Sequence, residues 1–270
     1  MRRARTPEAT GPILDRDAAD RLRHHLVTSR LAGEVATSPE ATLTNCGRLV
    51  AGDDDYTFGL SDWRSASFLD AVRAVREVCG GDPGGAPPEA PGYIDPNATM
   101  AAIARHRKEL AAFAADGGGR VLLATGHPTG LLTHYTSIAR ALQAAGHDLL
   151  MPLDDQVLHH DEHGRPRSIR FLDGVGSVTD GGSLRHTHLA RYMQALLDEL
   201  GARPPDLVIG DHGMAGAAIE AGIATLSIAD VNDPALPLAQ WRGRTGGVLV
   251  IDDGLPSPVY QPLTEAMLGF

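Results

Sequence analysis

The sequence predicts an α/β fold: a Rossmann-like three-layer sandwich with a mostly parallel sheet, plus a mostly helical N-terminal region. Three observations favour this fold. Short apolar runs alternate with helix-like segments from about residue 97 onward, which is typical of βαβ units. Aromatic residues make up only 4% of the chain, so the core is built from Ala, Val, Leu and Ile, as in buried parallel strands. Glycine and turn residues separate the apolar runs.

The chain divides into three predicted parts: a disordered tail at 1–14, a helical region with a Gly/Pro-rich linker at 15–96, and a Rossmann-like catalytic domain at 97–270. In the second part, apolar residues at helical spacing predict helices over 15–33 and 61–79. The stretch 34–60 between them is expected to be irregular. Residues 80–96 are dominated by glycine and proline, which predicts a linker or long loop.

The third part follows the βαβ pattern. Predicted helices lie at 97–115, 131–145, 187–200, 214–221 and 234–242. Predicted strand segments lie at 120–124, 148–153, 167–174, 175–181, 206–213, 224–233 and 247–254.

Composition excludes several classes of function. The formal net charge of −10 argues against a nucleic-acid binder, which needs a basic face. No stretch approaches the roughly 20 apolar residues of a membrane span. The two cysteines, Cys46 and Cys79, form no CxxC unit, which favours reduced thiols and a cytoplasmic location. A homodimer is left open.

Polar and titratable residues recur where the predicted strands end. Ligands of open parallel sheets bind beyond the carboxyl ends of the strands, so these positions are the candidate site. The polar segments after strands are Thr125–Gly130, Asp211–Gly213, Asp230–Asp233 and Asp252–Gly254.

The segment TGHPTG at 125–130 resembles an anion-binding loop at a helix N-terminus. Gly126 and Gly130 would allow close backbone approach, and Thr125 and Thr129 would add hydroxyl donors. His127 would serve as a general acid or hydrogen-bond donor. The alternative is a plain strand–turn–helix junction with Thr129 as the N-cap.

Asp211 and His212 follow the next strand directly and are candidates for a metal ligand, a general base, or both. The alternative is that Asp211 only caps the following helix. His186 and His188 are two residues apart, which is a frequent metal-ligand spacing on an extended segment. A solvent-exposed turn is nearly as good an interpretation of this pair.

Asp230 and Asp233 carry oxygen ligands that suit a hard cation. The expected cofactor is a divalent metal, Mg²⁺ or Mn²⁺ before Zn²⁺. Asn-Asp-Pro at this place is also a common helix start. The histidine-rich segment 159–163 is interpreted as a turn, with a mobile lid as the alternative. No GxSxG elbow or other Ser or Cys nucleophile is evident.

Several blocks resemble, in order, an actinobacterial family known simply as "phosphatase", from about residue 22 to the C-terminus. The blocks are HLVTSRLAGEVAT, GDDDYTFGL, ATGHPTGLL, RHTH, DLVIGDHGMAGAAIEAGI, ADVNDPAL and VIDDGLP with YQPLTEAML. The resemblance implies phosphomonoester hydrolysis. Arg30, Glu34 and Asn45 resemble family positions, and Arg30 would suit bidentate phosphate binding.

This chain departs from the family pattern at two places in the candidate site. TGHPTG replaces TGHPGG, and DHGMAG replaces DHGWAG, which removes a large aromatic side chain. The Gly/Pro-rich insert at 80–92 is also peculiar to this chain. These departures suggest recruitment to a specialised pathway of secondary metabolism.

The expected function is therefore a phosphatase acting on a small phosphorylated sugar, cyclitol or nucleotide. In the expected mechanism, a divalent metal held by Asp211 and some of His186, His188, His212 and Asp230 activates water for in-line attack. His127 or His212 moves the proton. The alternatives are a metal-assisted lyase, dehydratase or isomerase, and a non-catalytic metabolite sensor.

Overall fold

The centre of the fold is a large, mostly parallel sheet with helices on both faces, in a computed structural model that describes residues 15–269. The tail predicted at 1–14 lies outside the described residues. The strands are β1 (Gly33–Val35), β2 (Gly92–Ile94), β3 (Arg120–Thr125), β4 (Asp148–Leu149), β5 (Val157–His160), β6 (Pro166–Leu172), β7 (Val175–Thr179), β8 (Leu207–Asp211), β9 (Thr225–Ala229) and β10 (Val248–Val250).

Helices lie on both faces of the sheet, and several short helices belong to the N-terminal region. They are α1 (Arg16–Thr28), α2 (Pro39–Ala51), α3 (Asp54–Thr57), α4 (Phe68–Cys79), α5 (Pro96–Asp116), α6 (Pro128–Ala144), α7 (Arg191–Leu200), α8 (His212–Glu220), α9 (Ala235–Trp241) and α10 (Gln261–Leu268). None of the helices in 15–269 is long and apolar enough to cross a lipid bilayer.

The strand order of the main sheet is β10-β9-β8-β3-β7-β6-β5, with β4 beside the start of β3. Strands β10 to β7 run parallel, and β6 and β5 extend one edge as an antiparallel hairpin. The chain passes from β3 to β7 on one side and then to β8 on the other. This reversal of direction opens a crevice at the carboxyl ends of β3 and β8, which is where such folds bind ligands.

The burial of strand β3 on both faces confirms the predicted three-layer fold. Val121 and Leu123 pack into the core on one face of the sheet, and Leu122 and Ala124 pack into the core on the other. All four side chains are buried, because successive side chains of a strand point to opposite faces and helices cover both.

The N-terminal region is more ordered than predicted. The expectation of irregular structure over 34–60 is wrong, because α2 occupies much of it. Ser38 caps this helix, Pro39 is its first residue, and Gly52 ends it in the left-handed conformation at φ 79°. The helix predicted at 61–79 begins only at Phe68, where Ser67 and Asp70 form a capping box.

The Gly/Pro-rich segment 80–96 is also more than a linker. It contains β2, which pairs antiparallel with β1 so that Gly33 faces Ile94. The strand predicted at 148–153 is reduced to Asp148–Leu149. The histidine-rich segment, interpreted from sequence as a turn, begins inside β5 and turns only after His160.

Candidate active site

Four histidines meet at the carboxyl ends of β3 and β8, and His127, His186, His188 and His212 are here called the histidine cluster. The rings of His188 and His212 stack at 4.6 Å between centroids. The ring of His186 lies 4.6 Å from that of His127 and 4.8 Å from that of His188. The fold thus brings together the four histidines that the sequence predicted as site residues.

His212 is the buried centre of the cluster. It is the first residue of α8 and has a left-handed backbone, with φ at 45°. For a residue with a side chain this conformation is strained, and such strain is found at functional sites. Its Nδ1–H donates to Asp211 Oδ1 at 2.7 Å, so that Nε2 faces the carboxylates of Asp233 and Asp253 at 3.7 and 3.6 Å.

The surroundings of His212 favour a positive charge. Burial alone would lower its pKa, but the negative charge of Asp233, the hydrogen bond to Asp211 and the charge of Asp253 raise the pKa to about 10. The ring is only 3% exposed, so water screens these charges weakly.

Asp211 acts as the anchor of this arrangement. Its fully buried carboxylate accepts hydrogen bonds from Thr125 Oγ1 at 2.6 Å, Gly126 N at 2.8 Å and His212 Nδ1 at 2.7 Å. Asp211 is the N-cap residue of α8, but its side chain makes no capping hydrogen bond, so capping is not its only role. Because both oxygens are occupied, Asp211 joins β3 to β8 and orients His212.

Asp253 follows β10 and brings a second carboxylate to the cluster. Its Oδ2 lies 3.3 Å from Nδ1 of His127. The two atoms are buried and neither has an aligned hydrogen-bond partner among the described residues. Burial would raise the pKa of Asp253, but the contact with His127 and the charge of His212 lower it. Such unsatisfied buried polar atoms indicate a place for a ligand or ion.

His212, Asp233 and Asp253 form one group that could hold a metal ion, since one ligand atom from each lies within 4.8 Å of the others. All three side chains are buried. Imidazole nitrogen with carboxylate oxygens suits Zn²⁺ or Mn²⁺, and carboxylates alone suit Mg²⁺. A divalent ion would take the place of the proton on His212 Nε2 between the two carboxylates, so the residues fit a divalent ion.

Asp230, a predicted metal ligand, is placed behind this group. Its Oδ2 accepts from Thr37 Oγ1 and its Oδ1 accepts from Val231 N, both at 2.7 Å. Its own N–H donates to Asp233 Oδ2 at 2.9 Å. Asn45 supports the same loop by donating to Asn232 O at 2.8 Å. Asp230 therefore holds the loop that presents Asp233.

His186, His188 and His212 form a second group of possible metal ligands, which range from exposed to buried. His188 donates through Nδ1 to the carbonyl of Asp55 at 2.9 Å. Burial and the neighbouring histidines lower the pKa of His186 to about 4, so this ring is neutral at neutral pH, the form that binds metals.

The histidine segment 186–188 is fixed by backbone contact with Gly126. The N–H of Thr187 donates to Gly126 O at 2.9 Å. A Cβ at position 126 would lie 2.3 Å from the Thr187 carbonyl oxygen, so only glycine fits. This explains the first glycine of TGHPTG.

The rest of TGHPTG forms the N-terminus of α6. The helix begins at Pro128 with His127 as its N-cap, so Thr129 is not the cap. Thr125 is buried and accepts from His127 N at 2.9 Å, while Thr129 is exposed. Gly130 lies so close to the carbonyl of Asp253 that a Cβ would come within 2.6 Å of it. The segment thus brings the helix N-terminus against the loop that carries Asp253.

Arg30, the predicted phosphate ligand, lies at the margin of the site. It is exposed, its backbone has a φ of 64°, and its Nε donates to Glu34 O at 3.3 Å. In the part of the chain that the structure describes, its guanidinium makes no hydrogen bond to the histidine cluster. Its charge does help to counter the burial that raises the pKa of Asp252.

A family model described as "Phosphatase" matches residues 17–269. The chain belongs to this phosphatase family. A Streptomyces coelicolor protein named Phosphatase SCO2771 is 38% identical over 264 residues, which cover 95% of this chain and 97% of the relative. The family resemblance and the enzyme class expected from the sequence are thereby confirmed.

Proposed function

We propose that the protein is a metal-assisted phosphomonoester hydrolase that acts on a small phosphorylated metabolite such as a sugar, cyclitol or nucleotide. The observation that carries this proposal is the buried group of His212, Asp233 and Asp253 at the carboxyl ends of the parallel strands. The membership of the phosphatase family supports the reaction type.

The negative charges of the site favour a bound metal ion. A phosphate ester is an anion, and the carboxylates of Asp233 and Asp253 would repel it from a buried site. A divalent ion held by these residues would reverse the local sign and act as a Lewis acid toward the phosphoryl oxygens.

The protein's own groups have distinct roles. The N-terminus of α6 directs free backbone N–H groups of Thr129 and Gly130 toward the anion. Asp211 keeps His212 in one orientation through the Nδ1 hydrogen bond. His127 is the general acid that protonates the leaving alkoxide. Burial alone would lower its pKa, but Asp253, whose Oδ2 lies 3.3 Å from the ring Nδ1, raises it and so favours the protonated ring.

The test is phosphate release by the purified full-length protein from a panel of sugar, cyclitol and nucleotide monophosphates. Metal content is measured before and after chelation, and Asp253→Asn is compared with Asp206→Asn. Asp206 is a matched control because it precedes β8 at the opposite edge of the sheet, where its carboxylate accepts from Arg120 N.

We expect metal-dependent release that the control variant retains. Asp253→Asn should lower metal affinity by more than the roughly 10–100-fold loss that follows removal of a group behind a ligand. Release that survives both chelation and Asp253→Asn would contradict the metal-assisted site. Absence of release from every ester would contradict hydrolysis and favour proton abstraction on an unphosphorylated substrate.

A further inference from the structure

A cavity of about 480 Å³ lies beside the histidine cluster. One wall is the hairpin of β5 and β6 with its histidine-rich turn, and the other is the segment that leads into α7. His186 belongs to both the cavity lining and the histidine cluster, and Thr187, which also lines the cavity, is bonded through its backbone to Gly126. A molecule bound at the histidine cluster therefore has room to extend past His186 into this cavity.

The cavity is basic, although the whole chain carries a formal charge of −10. The guanidinium groups that line it belong to Arg165, Arg167, Arg185 and Arg191. The lining carboxylates are those of Asp161 and Glu162, and Asp180 lies 3.7 Å from Arg185, so four guanidinium groups face three carboxylates. Such a local field attracts an anion in spite of the net charge of the protein.

Two of the arginines build the wall. Asp161 Oδ2 accepts from Arg165 at 3.0 Å and from Arg167 at 2.7 Å. Asp161 Oδ1 also accepts from the backbone N–H groups of His163 and Arg165, so this carboxylate fixes the turn of the hairpin. These guanidinium groups are thus held in place before any ligand binds.

The other two arginines have donors to spare. Arg185 lies 3.7 Å from Asp180, beyond hydrogen-bond distance, and its side chain is about half exposed. Arg191 stands over the ring of Tyr192 at 5.7 Å and pairs with no carboxylate within residues 15–269. Planar guanidinium groups with free donors bind phosphate and carboxylate in bidentate fashion.

We propose that this cavity binds a second anionic group of the substrate, so that the preferred substrates are bisphosphates or phosphorylated acids. The inference rests on the proposed hydrolase: the ester to be cleaved lies at the histidine cluster, and the second anion lies between Arg185 and Arg191. The histidine-rich hairpin, which the chemistry at His212 does not use, forms one wall of this second anion site.

The first test compares matched substrates. Phosphate release is measured with a hexose bisphosphate against the hexose monophosphate, and with phosphoglycerate against glycerol phosphate. The first pair tests for a second phosphate and the second pair tests for a carboxylate. The enzymes are the wild type, the double variant R185Q/R191Q and the control R140Q, whose arginine pairs with Asp173 on the surface.

We expect the wild type to prefer the member with the additional anion in at least one pair. The ratio of the two kcat/KM values should fall about tenfold in R185Q/R191Q, from the loss of charge-assisted hydrogen bonds. R140Q should keep the ratio of the wild type. A ratio that is the same in the wild type and the double variant would overturn the proposal.

A binding measurement separates this inference from the proposed function. Inorganic phosphate is titrated by calorimetry into two proteins: His212→Ala, which disrupts the group of His212, Asp233 and Asp253, and the same variant with R185Q/R191Q added. If the wild type hydrolyses no ester but phosphate binding depends on Arg185 and Arg191, the proposed hydrolase is refuted and the anion site is retained. Ester hydrolysis with phosphate binding that ignores the arginines would refute the anion site alone.

Discussion

A methyl group at Gly126 would force apart the two segments that shape the candidate site. The Cβ of an alanine would lie 2.3 Å from the Thr187 carbonyl oxygen, while real Cβ contacts stay at 3.0 Å or more. The difference, 3.0 minus 2.3, means that the segments must separate by at least about 0.7 Å. The hydrogen bond from Thr187 N to Gly126 O would be stretched by this shift.

The magnitude of the effect follows from two contributions. Overpacking of a close contact costs about 1–3 kcal/mol, and the weakened backbone hydrogen bond costs about 1 kcal/mol. We therefore expect Gly126→Ala to lower the free energy of unfolding by about 3 kcal/mol, which corresponds to about 6–12 °C in Tm for a chain of this size. A displacement close to 1 Å of His186 and His188 should lower turnover by up to about 100-fold.

The assay is thermal unfolding together with phosphate release, and Gly47→Ala is the control. Gly47 lies inside α2, and a Cβ there meets nothing within 4 Å. This substitution should stabilise the protein by about 0.5–1 kcal/mol. If Gly126→Ala has the Tm and the turnover of Gly47→Ala, the backbone contact does not fix the histidine segment and the reasoning is refuted.

Two further predictions concern buried titratable groups. Asp211→Asn replaces an acceptor of three hydrogen bonds by a group with one acceptor oxygen, and should lower the free energy of unfolding by about 2 kcal/mol in urea denaturation. Equal losses in Asp211→Asn and in the exposed Asp206→Asn would contradict an anchoring role. Burial lowers the pKa of His106 to about 4, while in the unfolded chain it is about 6.5. Between these two pH values the unfolded chain binds more protons than the folded one, so the free energy of unfolding falls as the pH drops from about 6.5 to about 4. His106→Gln keeps a donor for Gly247 O and should flatten the fall of Tm between pH 7 and pH 4; an unchanged slope would show that another group titrates.

The strand-end rule predicted most of the candidate site from sequence. It pointed to His127, Asp211 and His212 because parallel strands end at one edge of the sheet. The same rule marked Asp253, but two adjacent aspartates after a strand give no sign of which one reaches the histidine cluster. The structure shows that Asp253 contacts His127 and His212, whereas Asp252 accepts a hydrogen bond from Gly254 N at 3.0 Å.

The role of each aspartate depended on contacts that sequence spacing does not contain. Asp230 and Asp233 are equally good oxygen ligands by residue type. Thr37 comes from the N-terminal region and occupies Asp230, which leaves Asp233 to face His212. This partner is 193 residues away along the chain, so local pattern could not reveal it.

The N-terminal elements were predicted least well because their stability is tertiary. The helix α2 has a cap and a C-terminal glycine, but its buried residues include Pro39 and Thr42 beside Cys46 and Leu49, so its buried face is not marked by apolar residues alone. The strands β1 and β2 have three residues each, too short for alternation to be recognised.

The long-range hydrogen bonds of Thr37 and Asn45 also bear on how the protein is made. Their partners, Asp230 and Asn232, are translated 193 and 187 residues later, and Asp253 later still. During synthesis the N-terminal segment leaves the ribosome long before the loop that it supports exists. Assembly of the site therefore depends on contacts of large sequence separation, which form late in synthesis and fold slowly.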